Sequence, residues 1–143
     1  IEMSGAIGLE QLKKLPGFVS QRRANGEHFQ ACFKDHRFIQ IQKETGQSSW
    51  FGFSLVIKES APFNRRQLVE VLQAAGIECR PIVSGNFLTN DSLKFFDYEV
   101  AGHVENAEYI DQHGLFVGNH QIDLTAEITH VLTVINQLCS EAI

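Results

Sequence analysis

Cysteine is scarce and unpaired in this chain: Cys32, Cys79 and Cys139 are odd in number, far apart, and form no CxxC pair. That excludes a disulfide framework and fits free thiols in a reducing compartment, so the cytoplasm is the expected location. Long apolar runs are missing too. The opening Ile-Glu-Met-Ser-Gly-Ala-Ile-Gly lacks the basic and apolar regions of a signal peptide, and no membrane association is expected. Positive charge is in deficit, with 12 basic against 17 acidic residues and a net charge of −5. This argues against a sequence-independent grip on nucleic acid, and a phosphate-rich ligand would need a local basic site. Catalytic signatures are absent as well: there is no GxGxxG, Walker sequence, HExxH or GxSxG. The six histidines are scattered without metal-pair spacing, and the lysines stand in polar surroundings or at element ends, as solvated charges do. What is present suffices for a core: 143 residues, 43% of them hydrophobic, can build one compact domain without a disulfide or a structural metal.

Apolar residues Ile7, Leu12, Leu15, Phe18, Val19, Phe29 and Phe33 recur mostly at three- and four-residue steps, which predicts helix. Pro16 disfavours helical geometry at Leu15 and suits a first turn, so the expectation is one helix over 4–14 and a second over 17–33. Lys13, Lys14, Arg22 and Arg23 then fall on solvated flanks. Residues 37–42 and 49–58 read as strands joined by a turn at 44–47. Asn64 is placed to cap a helix that runs to Gly76, a natural C′ glycine, and residues 77–82 resume as strand. Residues 83–99 have no sustained period beyond a short turn near Leu93 and read as a long functional loop. Helix over 104–113, a short strand over 115–117 and a last helix from Asp123 or Thr125 complete the chain. This order predicts an α+β fold, a small mainly antiparallel sheet with helices packed on it.

Two stretches could carry chemistry. In Arg80-Pro-Ile-Val-Ser-Gly-Asn-Phe87 a cation leaves a strand, and Ser84, Gly85 and Asn86 follow with backbone amides and short polar groups suited to an anion or sugar hydroxyls. The same residues also describe an ordinary strand exit with a surface arginine. In Val117-Gly-Asn-His-Gln121, Asn119 and His120 sit between a buried strand and a helix, where a turn with a satisfied histidine is the plain alternative.

Further segments carry a resemblance. Glu2-Met-Ser-Gly-Ala-Ile-Gly-Leu-Glu-Gln-Leu-Lys-Lys-Leu15 followed by Gln21-Arg-Arg23 resembles the segment after the cofactor domain in DegT/DnrJ/EryC1/StrS sugar aminotransferases. Gly76-Ile-Glu-Cys-Arg-Pro-Ile-Val-Ser-Gly-Asn-Phe87, Phe96-Asp-Tyr98, Asn106-Ala-Glu-Tyr-Ile-Asp-Gln-His-Gly114 and Gly118-Asn-His120 are similar to its nucleotide-linked 4-keto-6-deoxyhexose 3-dehydratase branch. Where aminotransferase relatives carry a His-Tyr pair, this chain has Arg80-Pro-Ile-Val-Ser-Gly-Asn86, which selects that branch. The resemblance covers essentially the whole chain but only about the last third of such an enzyme. It implies the small α+β domain of a fold-type I vitamin B6 enzyme, 1–143 as one domain, with the large cofactor-binding domain absent. It also implies a pyridoxal or pyridoxamine phosphate cofactor for full-length relatives and none held by this chain alone, so that no catalysis is expected in isolation. Arg80, Ser84, Gly85, Asn86, Asn119 and His120 are then the positions expected near a nucleotide sugar. Because the first helix meets the large domain in such enzymes, Ile7, Leu12 and Leu15 are expected to present an apolar patch that drives homo-oligomer formation or takes a protein partner. A stand-alone interaction module that keeps the small-domain fold is the alternative.

Overall fold

Alternation along Phe53-Ser54-Leu55-Val56-Ile57 sends the first, third and fifth side chains to one side of a strand and the other two to the opposite side. The computed structural model, which describes residues 2–141, is built around that division. Strands β1 (Ile39–Ile41), β2 (Gly52–Ile57), β3 (Cys79–Pro81) and β4 (Gly114–Gly118) form one antiparallel sheet in the order β1-β2-β4-β3. Phe53, Leu55 and Ile57 point into a core completed by Phe29 and Phe33 of helix α1 (Glu2–Phe33), Leu68 and Leu72 of α2 (Arg65–Ala74), and Ile128, Val131 and Ile135 of α4 (Thr125–Glu141). Phe29 stacks on Phe53 with 4.5 Å between ring centres, and Trp50 packs edge-on against Phe29. Helix α3 (Glu105–His113) lies by the other face, where Tyr109 donates to the Ile57 carbonyl at 2.7 Å. The expected α+β class is the one observed.

Local chemistry sets the element ends. Asn64 Oδ1 accepts from the Gln67 N–H at 3.0 Å while Gln67 Oε1 accepts from the Asn64 N–H at 2.9 Å, a reciprocal cap that starts α2. Gly76, at φ +76°, ends it as expected. Asp123 Oδ1 accepts from the Thr125 N–H and hydroxyl at 3.0 and 2.6 Å, which holds its carboxyl below the usual range and opens α4. The long loop contains two short 3₁₀ turns, Phe87–Thr89 and Asp91–Phe95, begun by the side chains of Asn86 and Asn90.

Two expectations are corrected. The break at Pro16 does not occur: α1 is one helix with Pro16 inside it. A proline disfavours the helical conformation of its predecessor without forbidding it, and it removes only one ladder hydrogen bond, so it penalises the helix without stopping it. Arg22 is not on a solvated flank either; its guanidinium is half-buried against loop carbonyls of the β1–β2 and β4–α4 connections. Met3, Ile7, Leu9, Leu12 and Leu15 are exposed, as the apolar-patch expectation requires. No helix among the described residues is long and apolar enough to cross a membrane.

Candidate functional site

Register places Gly52 opposite Gly118 and Arg80 opposite Phe116, so these side chains share the sheet face turned away from the core. A Cβ on Gly52 would lie 2.8 Å from the Phe116 ring and from the Val117 carbonyl; the glycine lets Phe116 lie flat across the strand. Beside it opens a cavity of about 340 Å³ walled by Arg22, Phe51, Glu78, Arg80 and Phe116, with Gly118 and Asn119 at its margin.

The wall is held by a polar network reaching into α1. Trp50 adopts φ +50°, a strained left-handed conformation for an aromatic residue, and buries its indole on Gly26. Phe51 is thereby turned outward, its ring centre 5.8 Å from that of Phe116. The Arg22 guanidinium secures this turn by donating to the carbonyls of Ser49 at 2.8 Å, Trp50, and Asn119 at 3.4 Å. Asn119 donates through Nδ2 to the carbonyls of Arg22 and Trp50 at 3.1 and 3.0 Å and accepts at Oδ1 from Asn25 at 3.0 Å. Asn25, 1% exposed, also donates to the carbonyls of His120 and Ile122 and accepts from Gln21 and the Leu124 N–H. Buried amides this fully paired are structural braces.

Of the residues singled out in the sequence, Arg80 and Asn119 meet at this cavity, Asn119 with its amide already spent on the protein. Arg80 is exposed, and its Nε and Nη2 donate to Glu78 Oε1 at 3.0 and 2.7 Å. An exposed pair is worth only about 0–1 kcal/mol, so an incoming anion displaces it at little cost. His120 is exposed beside Asn119 and outside the cavity lining. Ser84, Gly85 and Asn86 are also outside it. Gly85, at φ +61°, has the Asp111 carboxylate of α3 pressed where a Cβ would stand, Val83 takes the strained φ +42°, and Asn86 is buried as the cap of the first 3₁₀ turn.

Arg22, Asn25, Phe51 and Glu78 were not anticipated as site residues. Asn25 left a signal: it precedes Phe29 and Phe33 by one and two helical turns, and a polar residue on an apolar stripe marks a buried network. Chemically the cavity offers one cation with free donors, a carboxylate and two aromatic faces. Cys79, on the opposite face of β3, is a poor nucleophile, because burial and then the Glu78 charge push its thiol up. The lining holds neither lysine nor histidine to stand beneath a pyridoxal ring, so the residues present do not fit that cofactor.

An antiparallel sheet backed by three helices is the architecture of a domain from the vitamin B6 aminotransferase-fold enzymes. The chain belongs to the DegT/DnrJ/EryC1/StrS aminotransferase family, whose model matches residues 1–136. It is 60% identical over 138 residues to GDP-4-keto-6-deoxy-D-mannose 3-dehydratase of Yersinia pseudotuberculosis, covering 96% of this chain and 35% of that protein. The structure of the E. coli GDP-4-keto-6-deoxy-D-mannose-3-dehydratase with bound hydrated PLP superposes with a TM-score of 0.89 at 63% identity, over 93% of this chain and 34% of that one. An H188N mutant of GDP-4-keto-6-deoxymannose-3-dehydratase with bound GDP-perosamine gives a TM-score of 0.90 at 62% identity, over 94% and 35%. The chain thus spans about a third of the length of the relatives it matches.

Proposed function

We propose that this chain is the substrate-side domain, the last third, of a vitamin B6-dependent 3-dehydratase acting on a GDP-linked 4-keto-6-deoxyhexose, in deoxysugar synthesis for lipopolysaccharide. One observation carries the reading: the 60% identity to the Yersinia dehydratase extends over 96% of the chain. In this reading Arg80 meets the diphosphate, Ser84, Gly85 and Asn86 approach the sugar, and Asn119 and His120 border the pocket. The cofactor and its machinery belong to the rest of the enzyme. Three free cysteines among the described residues suit a cytoplasmic setting.

The test is a titration of the labelled chain with GDP-mannose followed by NMR. Shifts are expected to centre on residues 80–87 and 118–121, and Arg80→Ala to weaken binding by about 1–3 kcal/mol, the range for a charge-assisted contact. Flat or evenly spread shifts at high ligand would remove the reading. Added pyridoxal phosphate should give no stoichiometric, saturable visible band; one abolished by a single lysine substitution would contradict the division of labour. The exposed apolar first half of α1 favours a second reading, an interaction module, and supports assembly as a homo-oligomer through that helix.

A further inference from the structure

We infer that the apolar cavity on the core side of β3 is a second binding site, one that takes a small amphipathic cation: a single ring or short alkyl chain ending in an ammonium group. It lies on the sheet face opposite the Arg80 side chain, where the end of α2, the start of β3 and α4 meet without filling the space between them. Ala75 and Gly76 follow α2 with almost no side chain, and a Cβ on Gly76 or on Gly118 would meet nothing within 4 Å. The gap they leave is about 260 Å³. It is walled by the buried Phe53, Val117, Ile128 and Val131 of the core and by the half-buried Ile77 and Leu124. A cavity of roughly 150 Å³ holds benzene, so this one accommodates a ring with a short chain attached.

Charge at the rim selects the ligand. Leu124, Glu127, Ile128 and Val131 recur at helical spacing, so one stripe of α4 and the residue before it faces the cavity, and Glu127 is the charged member of that stripe. Glu127 is exposed and makes no ion pair among the described residues. Neither lysine nor arginine lines the cavity, and the carboxylate of Glu78, which stands at its margin, is engaged by Arg80. His130 is occupied as well: its Nε2 donates to the Ala75 carbonyl at 3.4 Å and ties α4 to the end of α2. An apolar pocket beneath one free carboxylate complements a molecule with a hydrophobic body and one positive end. An anion of the same shape is repelled, and a neutral one gains only from burial.

The test titrates the full 143-residue chain with phenethylammonium, phenethyl alcohol and hydrocinnamate, which share a phenyl ring on a short chain and differ in charge, and reads backbone shifts. Saturable shifts centred on Ile77, Leu124, Ile128 and Val131 are expected with the ammonium and the alcohol. The ammonium should bind about three- to fivefold more tightly than the alcohol, within what an exposed charge contact gives, and the carboxylate most weakly. Glu127→Gln should level the ammonium with the alcohol. Ala75→Leu should remove the binding of both by filling the gap, with a urea midpoint no lower than that of the native chain. Should Ala75→Leu fail to fold, the Glu127→Gln comparison decides alone. Equal binding of the three probes, a preference for the ammonium that survives Glu127→Gln, undiminished binding to a folded Ala75→Leu chain, or shifts centred elsewhere would overturn the assignment, as would the absence of saturable shifts with the ammonium.

Discussion

Gly26 and Gly17 lie on the same helix and would respond oppositely to a methyl group. A Cβ on Gly26 would stand 2.5 Å from the Trp50 indole nitrogen, whereas one on Gly17 meets nothing within 4 Å. Gly26→Ala should cost about 1–3 kcal/mol through overpacking, outweighing alanine's gain in helix propensity, while Gly17→Ala should gain up to about 1 kcal/mol. Urea midpoints decide it, and equal midpoints would show that Trp50 does not seat on Gly26. His36 makes a pH prediction. Its Nδ1 accepts the N–H groups of Phe38 and Ile39 at 3.2 and 3.1 Å, and burial, with Lys58 nearby, lowers its pKa from the ordinary 6.5. The folded state therefore binds fewer protons than the unfolded one as pH falls below about 6.5, so stability is full above that pH and is lost below it. His36→Asn should flatten the slope of unfolding free energy between about pH 7 and 5; an unchanged slope would reject the assignment. At this scale the sequence was legible where chemistry is local: Asn64 and Gly76 do what their positions suggest. It was opaque at Arg22, because the carbonyls that hold it come from residues 49, 50 and 119, distant along the chain.

Helix α1 shows what an element can hide. Its second half is packed, with Asn25, Gly26, Phe29 and Phe33 buried, whereas residues 2–17 are exposed throughout. A half-helix without a packed face has only propensity to hold it, and Pro16 removes a hydrogen bond and crowds the preceding turn at a cost of about 3 kcal/mol. Amide exchange should be fast over residues 2–15 and slow over 25–33, and Pro16→Ala should slow the first segment without moving the second. Equal protection of both segments in the native chain would show that something covers the first. The two-helix expectation failed because proline was weighed as a stop signal, although it is only a penalty. The strands were legible from alternation, and β2 follows its pattern residue by residue. The face on which the site lies was not, since it depends on the pairing of Gly52 with Gly118 and Arg80 with Phe116.

At the scale of the whole molecule, the exposed Ile7, Leu12 and Leu15 call for cover. Sedimentation at micromolar concentration should show a dimer or larger assembly, and Ile7→Glu with Leu12→Glu should return it to monomer; a monomeric native chain would remove that proposal. The fold and the family branch were readable from the chain because the Arg80–Phe87 and Gly118–His120 segments are distinctive. The candidate cavity was readable only in part, because Arg22 and Phe51 reach its wall through long-range packing of α1 on the β1–β2 loop. The most direct test of the central claim replaces, in the E. coli relative, the segment this chain matches with the chain itself. The chimera should still dehydrate the GDP-linked 4-keto-6-deoxymannose with kcat/KM within about tenfold of the parent, roughly 1.4 kcal/mol. A folded chimera that binds PLP as the parent does, yet has lost about a thousandfold or more in kcat/KM, would contradict it.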